Sequence, residues 1–161
     1  MKKILGLLLV LAASLVLPAS AAGLGGQGAA KFNGAWKSVH ETSSWSDGKF
    51  PANFSLTINL HFQGDTLHYR SVNDSNKDAP RVLEFTANFD GKPYPIAGSE
   101  RYNQVALKRL RDDTFELLQL KDGDVIVGAV WQLLPDGQLV RWGVGKSPEG
   151  RSRAYIEYFK K

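Results

Sequence analysis

The sequence predicts an all-β protein, a single antiparallel up-and-down barrel of about eight to ten strands, and three observations carry that prediction. From Phe32 onward, segments rich in β-branched and aromatic residues recur at close spacing with little helical periodicity. Asp-Gly and Asp-Asp dipeptides separate the later ones. Asp-Gly between apolar runs is a strong hairpin signal, because a type I′ turn needs positive φ at both central residues. No helix is available to cover an apolar sheet face, and closure into a barrel removes the two edges an open meander would expose. A two-sheet sandwich of the same strands is the alternative architecture.

The chain begins with Lys2 and Lys3, an uncharged apolar run from Ile4 to Leu17, and then PASAA. This pattern reads as a signal peptide over residues 1–21, with Ala19-Ser20-Ala21 supplying the small residues that a signal peptidase needs. The apolar run is too short for a stable membrane span. Residues 22–31, rich in Gly and Ala without periodicity, read as a flexible leader, and 32–161 as the barrel domain. There is no cysteine, so no disulfide framework and no lipid-modified cysteine. The roughly 140 residues after residue 21 suffice for a hydrophobic core of their own. Removing Lys2 and Lys3 takes the formal charge from +4 to +2, which leaves little to attract nucleic acid or anionic lipid. The expectation is a periplasmic or secreted protein with no nucleic-acid partner and no stable membrane insertion.

The strand segments in order are AWKSVHE, FSLTINLHF, TLHYRSV, RVLEFTANF, a short one after Pro95, QVALKRLR, TFELLQLK, DVIVGAVWQLLP, QLVRWGVG and SRAYIEYF. Taking Asp112-Asp113, Asp122-Gly123 and Asp136-Gly137 as two-residue turns sets a register. Leu107 then lies beside Leu118, Leu118 opposite Val127, Leu120 opposite Val125, Leu133 opposite Val140, and Trp131 opposite Trp142. One face becomes almost wholly apolar, with Val125, Trp142 and Val144 on it. The other face is mixed, with Arg141 among Phe115, Leu117, Ile126 and Val130, and Leu134 and Leu139 continuing its apolar part. In FDGKPYPIAGS, Pro93 and Pro95 remove two backbone donors from one strand edge, which predicts a seam where neighbouring strands part. Tyr94, held extended between them, is a candidate gate residue.

Two short segments near the ends carry a resemblance. FNGAW, from Phe32 to Trp36, opens the first strand, and Arg153-Ala154-Tyr155 sits on the last. Together they resemble the calycins, the superfamily of lipocalins and fatty-acid-binding proteins. FDGKPYPIAG, followed by a KR-containing strand and two DG hairpins, is similar to small exported bacterial proteins called lipocalin-like. The resemblance implies that Gly34 and Trp36 begin the first strand and that Arg153 packs across Trp36 to plug one barrel end. It also implies an interior that takes a small hydrophobic or amphipathic ligand. Thr42 to Pro51 is too short and too rich in Ser, Asp and Gly for the helical lid of the fatty-acid-binding proteins.

Arg153 and Tyr155, two apart on one strand face, have the spacing by which fatty-acid-binding proteins hold a carboxylate, so Arg153 has two competing roles. Arg109, placed opposite Glu116 on the face of Trp131 and Trp142, is either a paired cation at the rim or an anion site above an aromatic floor. Trp45, in the polar stretch SSWSDGK, has little core to join and is a candidate ligand contact at the barrel mouth. His61 and His68 become cross-strand neighbours across a Gly64-Asp65 turn and could share Zn²⁺ or Cu²⁺. They alternate with Ile58, Leu60 and Phe62, however, and so face solvent, and no third ligand has suitable spacing, so no metal is predicted. No nucleophile motif, phosphate loop or acid/base cluster is present, which predicts no catalytic residues and no cofactor. The leading expectation is a non-enzymatic ligand-binding barrel. A protein-binding or inhibitor module using an exposed sheet face, and less so a calycin-type enzyme, are the alternatives.

Overall fold

Alternation of apolar and polar residues gives each predicted segment a strand with one face to bury. The computed structural model describes residues 28–147 and 149–161. Its strands are β1 (Gly34–Trp45), β2 (Leu56–Gln63), β3 (Thr66–Asn73), β4 (Arg81–Asn88), β5 (Tyr94–Pro95), β6 (Gln104–Arg111), β7 (Thr114–Lys121), β8 (Asp124–Leu133), β9 (Leu139–Lys146) and β10 (Ser152–Lys160). All belong to one antiparallel sheet in the order β4-β3-β2-β1-β10-β9-β8-β7-β6-β5. The sheet curls into a nearly closed up-and-down barrel, as the sequence predicts. The predicted signal peptide, and residues 22–27 of the predicted leader, lie outside the described residues.

The sheet closes through β1 and β10, where Lys37 lies opposite Lys160, with an irregularity in the pairing between Val39 and Ser44. It is interrupted between β4 and the β5–β6 segment, at FDGKPYPIAGS. There two isolated bridges, Glu84 with Ala97 and Asp90 with Lys108, replace a ladder. Glu84 and Ala97 exchange backbone hydrogen bonds of 3.1 and 2.9 Å. Both prolines deny β5 the donors it would need for more.

Turn chemistry fixes which side chains point inward. Asp122 (φ 51°) and Gly123 (φ 88°) form the expected two-residue turn, and Leu120 lies opposite Val125 as predicted. The register then shifts between Gln119 and Leu120, and again between Arg109 and Arg111, each time by one inserted residue. At Asp136-Gly137 the loop is longer than two residues: the Leu134 N–H donates to the Gln138 carbonyl at 2.8 Å, with Gly137 at φ 83°. Because side chains alternate with period two, a shift of one residue exchanges the faces. Leu118 therefore lies opposite Gly128, Leu107 opposite Leu117, Leu133 opposite Leu139 and Trp131 opposite Arg141. Val125, Trp142 and Val144, expected inside, are 42%, 36% and 54% exposed, whereas Leu139, expected outside, is fully buried along with Phe115.

One end of the barrel is filled with aromatic rings. Ala29–Phe32 form a single 3₁₀ turn that caps it, so the packed chain begins before Phe32 and the leader reading fails for its last residues. Ala29 and Phe32 are buried. Phe32 meets Phe115 edge-on at 5.4 Å, and Trp131 is stacked between Phe115 at 5.6 Å and Phe159 at 6.3 Å. Trp36 donates its indole N–H to the Phe32 carbonyl at 2.7 Å, which ties the cap to β1. Burying each such ring stabilises the fold by about 1.5–3 kcal/mol.

Candidate functional site

The opposite end is open, and the residues along three inward rows explain why. Cross-strand pairing aligns Arg109, Phe115, Trp131, Arg141 and Glu157 in one row across β6 to β10. The next row toward the open end runs Leu107, Leu117, Ala129, Gly143, Tyr155 and Trp45, and the one beyond it Val105, Gln119, Val127, Gly145 and Arg153. Bulk gives way to Ala and Gly on β8 and β9. A side chain at Gly143 would run into the Gly128 carbonyl, and one at Gly145 would come within 3.1 Å of Val127. The two glycines leave β9 bare and pressed against β8. Next to Gly145, Gln119 and Val127 opens a cavity of about 700 Å³, lined on its far side by Leu56, Tyr69, Ser71, Asn73 and Leu83.

A buried ion pair lies on the lining between the filled end and the cavity. Arg141 reaches Glu157 through Nε at 2.6 Å and through its terminal nitrogen at 2.5 Å. Trp45 Nε1 donates to the other Glu157 oxygen at 2.9 Å, so both carboxylate oxygens are engaged. The guanidinium lies 5.2 Å from the Trp131 ring centre and 5.3 Å from that of Phe159. Burial, the largest single influence, favours loss of its proton, but the facing Glu157 together with Tyr155 and Tyr69 outweighs it and raises the Arg141 pKa. Burial pushes the Tyr155 phenol up to about 12, although Arg141 pulls the other way, and burial likewise raises Tyr69. Both phenols are therefore neutral O–H groups at ordinary pH.

Cations surround the mouth. Arg81, Arg101, Lys146 and Arg153 line it together with Glu100; with Arg141 and Glu157 included, and with Asp47 and Asp124 that pair with Arg153 and Lys146, five cations stand against four carboxylates. Arg153 lies 4.1 Å above the Trp45 ring centre and is held there by Asp47 at 2.6 Å. Desolvation opposes ionisation of Asp47, yet hydrogen bonds from the Lys49 N–H and from Arg153 keep its carboxyl below the usual range. Lys146 pairs with Asp124 at 3.3 Å, and Arg101 reaches across to the Lys146 carbonyl. Among the described residues Arg81 and Arg101 form no ion pair.

Three of the sequence-predicted site residues, Trp45, Arg153 and Tyr155, meet at this cavity. The other four do not line it. Trp131 is buried beneath Arg141, and Trp142 faces outward. Tyr94 sits at the seam, opposite Val105, with its hydroxyl 3.0 Å from Asp90. Arg109 lies opposite Phe115, because the register shift gives Glu116 to Lys108 instead. It packs at the filled end, 4.7 Å over the Phe89 ring, with one terminal nitrogen buried and unpartnered.

The plug implied by the calycin resemblance is built differently. Gly34 and Trp36 begin β1 at the filled end, but Arg153 begins β10 and, since the two strands are antiparallel, lies at the other end. Lys161 covers the tryptophan in its place, 4.7 Å from the ring centre, and donates to the Lys31 carbonyl at 3.0 Å. Gly34 has φ 129°, and the Lys161 chain passes 3.3 Å from where a Cβ would stand.

Arg141 and Glu157, the floor of the site, were absent from the sequence prediction. The signal that points to them is the alternation Arg141, Gly143, Gly145 in one strand: glycines at every second position mark an inner surface kept clear, and they assign Arg141 to that surface. Among the described residues no group of three or more His, Cys, Asp or Glu is arranged to hold a metal. No protein-family model matches the chain, and a search of curated proteins finds no match.

Proposed function

We propose that the protein is an exported, non-enzymatic, lipocalin-like barrel that holds a small amphipathic molecule bearing an anionic group in its open end. The observation that carries this reading is the pairing of a cavity of about 700 Å³ with a cationic mouth. Barrels of this size accommodate one small ligand. Trp45, Phe54, Leu56 and Leu83 offer the ligand's chain apolar contacts, and Tyr155 offers a neutral phenol donor. Arg81 and Arg101, which form no ion pair among the described residues, are placed to take a carboxylate, sulfate or phosphate, Arg101 with the donors left over from its bond to the Lys146 carbonyl. A purely hydrophobic ligand would leave these cations facing it without compensation. Glu157 is the only buried carboxylate among the described residues, and its two oxygens are occupied by Trp45 and Arg141, which favours a positioning role over acid/base chemistry. The sequence of residues 1–21 supports export.

Quenching of tryptophan fluorescence by chain-matched pairs tests the proposal: a fatty acid, an alkyl sulfate and an alkyl phosphate, each beside the corresponding alcohol. The anionic members are expected to quench and the alcohols to bind at least tenfold more weakly. Trp45→Phe should remove most of the signal, and Arg81→Ala with Arg101→Ala should erase the preference for the anion. Equal binding of acid and alcohol would remove the anionic group from the proposal, and a panel without any quencher would overturn binding in the cavity.

A second reading rests on the outer face of β8 and β9, where Val125, Trp142 and Val144 are exposed side chains of considerable size. Such a patch suits a protein partner. Self-association or partner capture that is lost in Trp142→Ser, with ligand quenching unchanged, would favour it.

A further inference from the structure

We propose that His61 and His68 form a metal site on the outer wall of the barrel, an open pair of imidazoles that takes Cu²⁺ and, more weakly, Zn²⁺, with water completing the coordination. The two residues are directly paired across β2 and β3 and both are exposed on the outer face. Their ring centres are 5.8 Å apart and the rings are inclined by 33°. Two imidazoles bound at about 2.0–2.1 Å to one ion bring their ring centres to roughly 4.5 Å at the right angle of a tetragonal ion and roughly 5 Å at a tetrahedral angle, so side-chain rotation that draws the two rings together closes the site.

A second observation orients one ring. His68 Nδ1 lies 3.0 Å from the Thr86 hydroxyl, on the neighbouring strand β4. With Nδ1–H donating to that oxygen, the lone pair is left on Nε2, which is the arrangement that outer-shell partners impose on metal-bound histidines. The backbone adds rigidity. The pair stands in a three-stranded row, His61, His68 and Thr86, two residues from a tight turn at Gly64 and Asp65, so little conformational freedom is lost on binding. The nearest carboxylate in the adjoining row, Glu84, is held by Arg70 at 2.7 Å, which is why the protein contributes two ligands and no third. Neutral imidazole suits Cu²⁺ and Zn²⁺, and the ordering of divalent metals puts Cu²⁺ first. The site is on the opposite surface of the sheet from the cavity and does not depend on any ligand there.

Titration of the protein with Cu²⁺ alone, in the presence of glycine as competing chelator, tests the proposal by calorimetry and by electron paramagnetic resonance. One site is expected, with nitrogen splitting from two imidazoles. His61→Asn and His68→Asn should each weaken it at least tenfold, Thr86→Val a few-fold, and His40→Asn not at all. All four positions are exposed, so each variant is expected to fold, which a melting curve of each checks. Absence of binding, unchanged affinity in His61→Asn or His68→Asn, or a spectrum from backbone or amino-terminal nitrogen alone would overturn the site.

Discussion

At the filled end, β7, β8 and β10 point Phe115, Trp131 and Phe159 inward; four residues away along the same three strands they point Gln119, Val127 and Tyr155. Between these positions the β7–β8 and β9–β10 ladders run unbroken, so the difference is made chiefly by side-chain volume and polarity. A barrel of this width is either filled or hollow according to what its inward positions carry. Here it is both. The Arg141–Glu157 pair stands at the change, satisfied by Trp45 on the cavity side and covered by Trp131 and Phe159 on the other.

The contrast predicts unequal sensitivity to mutation. Phe115→Ala should cost about 3–5 kcal/mol in denaturant unfolding, as a large cavity opens in packed rings. Arg81→Ala, at the exposed mouth, should stay within about 0.5 kcal/mol. Comparable losses would mean that the two ends are not independent in this way. Arg141→Met alone should cost about 3 kcal/mol, because Glu157 is then buried without its partner. Adding Glu157→Leu should recover most of that loss, and a neutral single variant would show that water reaches the pair and that the boundary lies elsewhere.

A smaller effect comes from the phenol above the pair. The Tyr155 pKa is pushed up to about 12, chiefly by burial. Between pH 10 and 12 the unfolded chain gives up this proton while the folded chain keeps it, so stability falls as pH rises through that window and is fully present below it. The Tyr155→Phe variant should show a shallower decline of melting temperature over the same range; an identical decline would place the phenol in solvent. Smallest is the lysine over Trp36. Lys161→Met should cost about 0.5–1 kcal/mol, and a loss of several kcal/mol would make Lys161 a principal element of the filled end.

Nearly all of the strand content was legible in the sequence, down to the seam at Pro93 and Pro95, because alternation and turn residues are local signals. Which face of each strand turned inward was not. Two inserted residues, near Leu110 and Ile126, and one longer loop at Gly137 each move the pairing by a single position, and nothing in the composition of those stretches announces it. That slip sent Trp142 outside and kept Arg141 out of the predicted site. Trp45 was singled out because an indole in a polar stretch needs a reason to be there, and Arg153 and Tyr155 through their spacing; all three line the cavity. Arg153 does not lie at the end of the barrel where Trp36 sits, since that depends on strand direction.

The position of the seam has a consequence for how the chain folds. Among the described residues every ladder but one joins strands that are consecutive in sequence; the exception is β1 with β10, which brings Lys37 to Lys160. That pairing carries the loop-closure entropy of nearly the whole domain and slows the search for the native topology. Joining Lys161 to Gly28 through a short linker and reopening the chain at the exposed Lys92 would make the β1–β10 pairing local. The new ends would fall at a junction that has only isolated bridges to lose. Such a permuted chain should refold faster than the natural order in stopped-flow measurements while its unfolding midpoint stays close to the original.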